Sequence, residues 1–155
     1  MAGGRFRYAL QPVALQRQWA VDDLQRELAE GNAALAQRRA ASEALRGQVD
    51  QGELQWRGLG HGAQMVSVDQ FALVSRYLAD RQARLLAAQR ELEQQQRECE
   101  RLMEELVAAQ RRLDAVEEHK ARMRTQFVKL RLSGEFKVAD DQWNVLQAGM
   151  AEHGN

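Results

Sequence analysis

The sequence predicts an all-α protein, a long two-helix antiparallel coiled-coil hairpin whose second helix is the longer. Three observations predict it. Over residues 71–130 apolar side chains recur with a strict period of seven. Phe71, Leu78, Leu85, Leu92, Cys99, Leu106, Leu113 and Phe127 fall on one set of positions; Val74, Ala88, Leu102, Ala109, Val116, Met123 and Leu130 fall three residues later. Only Arg81, Gln95 and Lys120 interrupt this seam. A weaker heptad precedes it, and the run Gly58-Leu59-Gly60-His61-Gly62 stands between the two. A seven-residue repeat held over so many turns imposes a left-handed supercoil with a partner helix. Two helices joined by a short loop lie antiparallel, so the partner is the other half of the same chain.

In chain order, the first helix is expected over about 10–57. Pro12, the sole proline, suits a first helical turn, where its missing N–H has no intrahelical partner to lose. Leu10, Ala14, Val21, Leu24, Leu28, Leu35, Leu45, Val49 and Trp56 carry its seam, and Arg17, Gly31, Arg38, Ser42 and Gly52 break it. Each interior glycine costs roughly 1 kcal/mol of helix propensity against alanine, so this is expected to be the looser helix. The glycine loop is placed at 58–66.

The second helix is expected over about 67–132. Ser67 followed by Gln70 forms a capping box, and Asp69 complements the helix dipole. Asp80/Arg84, Glu93/Arg97 and Glu118/Arg122 are acid-first i,i+4 pairs on its outer face. Ser133-Gly134 reads as the stop, with Gly134 in the left-handed conformation. Residues 1–132 thus form the hairpin, and 133–155 a tail with a short amphipathic helix near Trp143. In that tail Asp140, Asp141 and Trp143 either fold back on the basic residues upstream or become ordered by a partner.

The composition points the same way. One proline, two tyrosines and abundant Ala, Leu, Gln, Glu and Arg match long helices or coiled coils. A two-helix seam has no thick core to hold a catalytic cavity, and the protein is expected not to be an enzyme and to need no cofactor. Lys and Arg number 22, balanced by 22 Asp and Glu, so whole-chain attraction to nucleic acid or membrane is not indicated. No run of about 18 apolar residues and no secretory signal is present, and the single cysteine, Cys99, lies on the seam as an inert thiol. His61, His119 and His153 give no metal-ligand spacing, and the glycine run lacks the strand and Gly-Lys of a phosphate loop.

Charge is uneven along the chain even so. Arg5, Arg7 and Arg17 precede the first acid, Asp22, and Lys120, Arg122, Arg124, Lys129 and Arg131 crowd the later helix. Antiparallel pairing sets Trp56 near Phe71 and Leu10 near Val116. At about 1.5 Å per residue the helices are roughly 70 and 100 Å long, so the second outruns the first by about four turns. Met123, Phe127 and Leu130 carry the apolar stripe into that excess. Another protein, or the tail folding back, is expected to cover them. A basic, partly apolar end would dock in an acidic socket; the bland alternative is ordinary solvated charge. Near the turn, an outward-facing apolar residue within 72–77 would be a second docking point. Phe71 itself has a packing role by default.

Two stretches carry a family resemblance. Phe6-Arg7-Tyr8-Ala9-Leu10-Gln11-Pro12-Val13 leads into a long Leu/Ala/Arg/Glu/Gln helix, and Gln70-Phe71, Arg76-Tyr77-Leu78 and Arg81-Gln82 open the second helix. Both resemble FliJ, the small cytoplasmic protein of the bacterial flagellar export apparatus; the YscO-type stalks of injectisomes are related to it. The resemblance implies an antiparallel coiled coil similar to the central stalk of rotary ATPases. It implies insertion of the terminal end into the hexameric export ATPase, contact with an FlhA-like export gate and handling of export chaperones. It implies a cytoplasmic protein held at the inner membrane through those partners. ATPase binding would then fall to Arg5, Arg7, Arg17, Lys120, Arg122 and Arg124.

In the family the gate contact uses a phenylalanine early in the second helix and an apolar residue one turn on. Phe71 matches the first; the position four residues later is Ser75, and Val74 and Leu78 are the nearest apolar residues. The tail around Trp143 departs from the family's strongly charged ending, and nothing is transferred to it. Two other classes stand beside this reading: a generic homodimeric coiled-coil scaffold, and a nucleic-acid-binding arm. The sparse aromatic interleaving of the basic stretch weighs against the arm.

Overall fold

The computed structural model describes residues 4–60 and 67–152. Two helices, α1 (Gln11–Gly58) and α2 (Val68–Glu152), pack against each other as a helical hairpin with the second helix longer. The start signals act as the sequence predicts. Pro12 is the second residue of α1, and the Gln11 N–H donates to the Tyr8 carbonyl at 3.1 Å. At the head of α2 the Gln70 backbone N–H donates to Ser67 Oγ at 3.2 Å, satisfying one of the orphan donors of the first turn. Of the glycine loop, Gly60 closes onto the Arg57 carbonyl at 3.4 Å; His61, Gly62 and the remainder to 66 lie outside the described residues, as does His153.

The chain divides into two compact units. One comprises residues 22–107 and contains the turn side of both helices. Its core is Leu28, Cys99 and Leu102, flanked by Leu24, Leu35 and Leu106. The residues that break the heptad are as buried as those that keep it. Gly31, Ser42 and Gly52 are buried, and Arg38, Arg81 and Gln95 are half-buried. Five of these six meet a complement on the other helix. The Gly31 carbonyl, laid bare by the missing side chain, accepts from Gln95 Nε2 at 3.1 Å. A Cβ on Gly31 would stand 3.3 Å from Cys99 Sγ, and one on Gly52 would stand 3.1 Å from Leu78 Cδ1. Arg81 Nη1 donates to Gln48 Oε1 at 3.1 Å, with its guanidinium 5.0 Å from the Tyr77 ring centre, and Arg38 pairs with Glu91 at 3.1 Å.

These glycines therefore have a packing role that a propensity argument omits: they let the two backbones approach. Outside the seam, Asp80–Arg84 and Glu93–Arg97 form as expected at 3.0 and 3.9 Å. Arg101 bridges Glu98 and Glu105, and its hydrogen bond to Glu98 holds that carboxyl below the usual carboxylate range. The third expected pair, Glu118/Arg122, is absent from the ion pairs among the described residues.

The other unit comprises 1–21 and 108–155. Tyr8, Ala14, Val21, Ala109 and Leu113 are buried there, Val21 most completely at 1% exposure. Here the structure corrects the expected stop. α2 does not end at Ser133-Gly134; it runs on to Glu152, and no glycine among the described residues has a positive φ. One glycine costs only about 1 kcal/mol, which good helix formers on both sides outweigh when no proline follows. Arg131 and Glu135 also pair across Gly134 at 3.5 Å. Asp140, Asp141 and Trp143 do not fold back. Residues 131–152 continue as exposed helix.

The glycines give a direct test of this packing. Gly47 faces open space, whereas Gly31 faces Cys99 and Leu102. In urea unfolding, Gly47→Ala should stabilise the protein by about 0.5–1 kcal/mol. Gly31→Leu, which forces the helices apart, should destabilise it by about 1–3 kcal/mol.

Candidate functional site

The first candidate site is built where the N-terminal segment meets α2. Residues 4–10 precede α1 as non-helical chain. Tyr8 is buried, and its hydroxyl is hydrogen-bonded to Nδ1 of His119 at 2.5 Å, with the two rings 5.5 Å apart. Two residues earlier, on the same side of an extended chain, the Phe6 ring lies 5.6 Å from Phe127. Residues 6–10 and Met123, Phe127 and Leu130 together line a groove.

This corrects the expectation for the surplus apolar stripe. The cover is supplied by the N-terminal segment, not by the tail. Sequence periodicity could not show this, because the covering residues are not helical and carry no heptad. The cover is incomplete: Met123 and Phe127 are half-buried, but Leu130 remains 74% and Leu10 45% exposed.

The predicted cationic residues all fall in this unit, yet they are not equivalent. Arg17 and Lys120 occupy seam positions and are half-buried. Arg5, Arg7, Arg122 and Arg124 are exposed. Among the described residues none of the six is in an ion pair; the ion pair of this unit is Arg131–Glu135. Arg7 also lines the groove. The result is a largely apolar groove with the unpaired Arg7 on its lining and further exposed arginines, Arg5, Arg122 and Arg124, close by in the chain. Such a surface suits an acidic protein patch with apolar residues at its centre.

The second candidate site lies beside the turn. Phe71 and Trp56 meet as predicted, their ring centres 4.2 Å apart. Of the residues singled out with Phe71, Val74 and Leu78 are half-buried in the seam and Ser75 is exposed. The outward apolar residue expected within 72–77 is Leu73, 67% exposed, which with Val74, Gln70, Gln55, Gly58 and Leu59 lines a shallow groove. Leu54 is 65% exposed nearby in the chain. Leu73 and Leu54 break the heptad by being apolar off the seam, and that signal could have found both.

Among the described residues there is no group of three or more His, Cys, Asp or Glu able to hold a metal ion, and no helix is long and apolar enough to cross a membrane.

The Tyr8–His119 contact is the anchor of the first site. Tyr8→Phe, which leaves the His119 nitrogen unpaired, should lower the unfolding free energy by about 0.5–1.5 kcal/mol. It should also speed amide exchange at Gln11, whose N–H is held by the Tyr8 carbonyl.

The chain matches no family model, no curated protein and no solved structure.

Proposed function

We propose that this chain is a FliJ-like, non-enzymatic stalk and adaptor of a bacterial type III protein export apparatus. In this reading its terminal end enters the hexameric export ATPase, the region beside the turn contacts an FlhA-like export gate, and the chain also handles export chaperones. It would work in the cytoplasm, held at the inner membrane by those partners.

The observation that carries the reading is the groove between residues 6–10 and α2, with the unpaired Arg7 on its lining and the exposed Arg5, Arg122 and Arg124 next to lining residues in the chain. A stalk must enter a ring it does not bond to permanently. Exposed cations raise the encounter rate with an acidic socket at little cost in specificity. The remaining apolar surface at Leu10 and Leu130 then gives the bound state a short-range contact, worth roughly 1.5–3 kcal/mol for each side chain fully buried. A helical hairpin also presents different side chains in every direction around its axis. Inside a six-fold ring it makes the six subunits inequivalent, and that inequivalence can order ATP hydrolysis by the ring. The resemblance in the N-terminal octet and around Phe71 supports the same assignment from the sequence.

The test is reconstitution with the cognate ATPase. Adding the protein should raise ATPase activity and favour ring assembly; no change in either, with no association of ATPase or gate in pull-down, rejects the reading. Arg122→Glu with Arg124→Glu should weaken ATPase binding about tenfold or more, with the loss steepest at low salt and circular dichroism unchanged.

At the turn, Leu73→Ala should impair gate binding and leave the melting temperature within about 1–2 °C of wild type, because this side chain is 67% exposed. Phe71→Ala should lower both, because its ring packs on Trp56. Gate binding untouched by Leu73→Ala would confine the turn residues to packing.

A further inference from the structure

We infer that the last turns of α2 are a self-association surface, on which a second copy of this chain packs antiparallel. Beyond Leu130 the seam positions become Gly134, Lys137, Asp141 and Asn144, and the stripe that faces α1 ends. A new stripe begins at once with alternating spacings of four and three: Leu132, Phe136, Ala139, Trp143, Leu146 and Met150. It is displaced two residues from the old one, a rotation of roughly 200° around the helix axis. The first stripe and the second thus point in nearly opposite directions. Neither α1 nor the N-terminal segment, which pack on the first, is positioned to cover the second.

Its large members are unpartnered. Phe136 is 69%, Trp143 61%, Leu146 60% and Met150 75% exposed. The six members, at roughly 100 Å² apiece, offer about 600 Å² per copy, the low end of a standard-size interface.

Two features select a second copy, and select its direction. The heptad places Phe136, Trp143 and Met150 at one core position and Leu132, Ala139 and Leu146 at the other. Antiparallel pairing about a two-fold axis near Asp141 then sets Leu132 on Met150, Phe136 on Leu146 and Ala139 on Trp143. Each layer occurs twice by symmetry, with the smallest side chain opposite the largest. No stripe residue is left over. Charge marks the ends of the pairing: Arg131 of one copy falls level with Glu152 of the other, whereas parallel packing would set like charges level along the whole segment. Asp140 and Asp141, near the two-fold axis, are where like charges still meet.

The experiment is sedimentation equilibrium of the full chain between about 1 and 100 µM, a range in which an interface of this size spans weak to tight association. Wild type should be a reversible dimer. Trp143→Glu with Leu146→Glu should weaken it about a hundredfold or more, and Asp140→Asn should tighten it severalfold. Leu15→Glu with Trp19→Glu, exposed positions on α1, should leave it unchanged. A wild type that stays monomeric to 100 µM overturns the proposal and leaves the stripe to a different protein. A dimer that survives the Trp143/Leu146 variant overturns it too.

Direction is read from oxidation in a Cys99→Ser background. Gln142→Cys, close to the two-fold axis, should form a linked dimer and Ser133→Cys should not. Equal linking at both positions would make the pairing parallel and overturn the register. These outcomes do not depend on any export ATPase, so they stand or fall apart from the stalk reading.

Discussion

The hydrogen bond from Gln95 to the Gly31 carbonyl holds the hairpin in its register. A heptad of leucines and alanines is nearly self-similar: a slip of one helix by seven residues returns apolar side chains to apolar positions at little cost. The seam interruptions remove that degeneracy. Gln95 finds an acceptor only where the facing residue has no side chain, and Arg81 reaches Gln48 only in the same alignment. A slip would bury the Gln95 amide without a partner, at a cost of roughly 1–3 kcal/mol, and would take Gln48 away from Arg81. The residues that look like defects in the repeat are thus the ones that make the pairing unique.

The groove beside His119 is built within the terminal unit, where residues 6–10 run as non-helical chain along α2 beyond Val116. Tyr8 and Phe6, two residues apart, fall on one side of an extended segment and meet His119 and Phe127, eight residues apart on α2. The rise per residue explains the match in kind: an extended chain covers about twice the distance per residue that a helix does. The remaining mismatch, about four residues of helix or roughly 6 Å, is taken up by the reach of the rings.

The seam was legible in the sequence almost residue by residue, because period and burial are the same physical fact in a two-helix packing. The start of each helix was legible for the same kind of reason, since Pro12 and Ser67 act through their own backbone neighbours. What was not legible was the outcome of a competition. Ser133-Gly134 is a stop signal only if the penalty of one glycine exceeds the gain of continuing, and here it does not. Nor could a heptad reveal that a non-helical segment covers Phe127. The six cations were grouped by charge, although the heptad already set Arg17 and Lys120 on the seam; burial there separates these two from Arg5, Arg7, Arg122 and Arg124. Leu73 shows the converse. It is an apolar residue in the wrong phase, visible in the sequence but weighed there less than Phe71.

The uninterrupted passage of α2 through Gly134 has one more consequence. Starting a helix in water is costly, because several dihedral angles are fixed before the first hydrogen bond closes, whereas adding a residue to an existing helix costs little. The twenty or so residues after Leu130 would be a marginal helix alone. Attached to a long packed one, they are spared nucleation, and their order grows outward from Leu130 and fades toward Glu152. Whatever meets Trp143 therefore meets a surface already folded, and little of the contact energy is lost to ordering it.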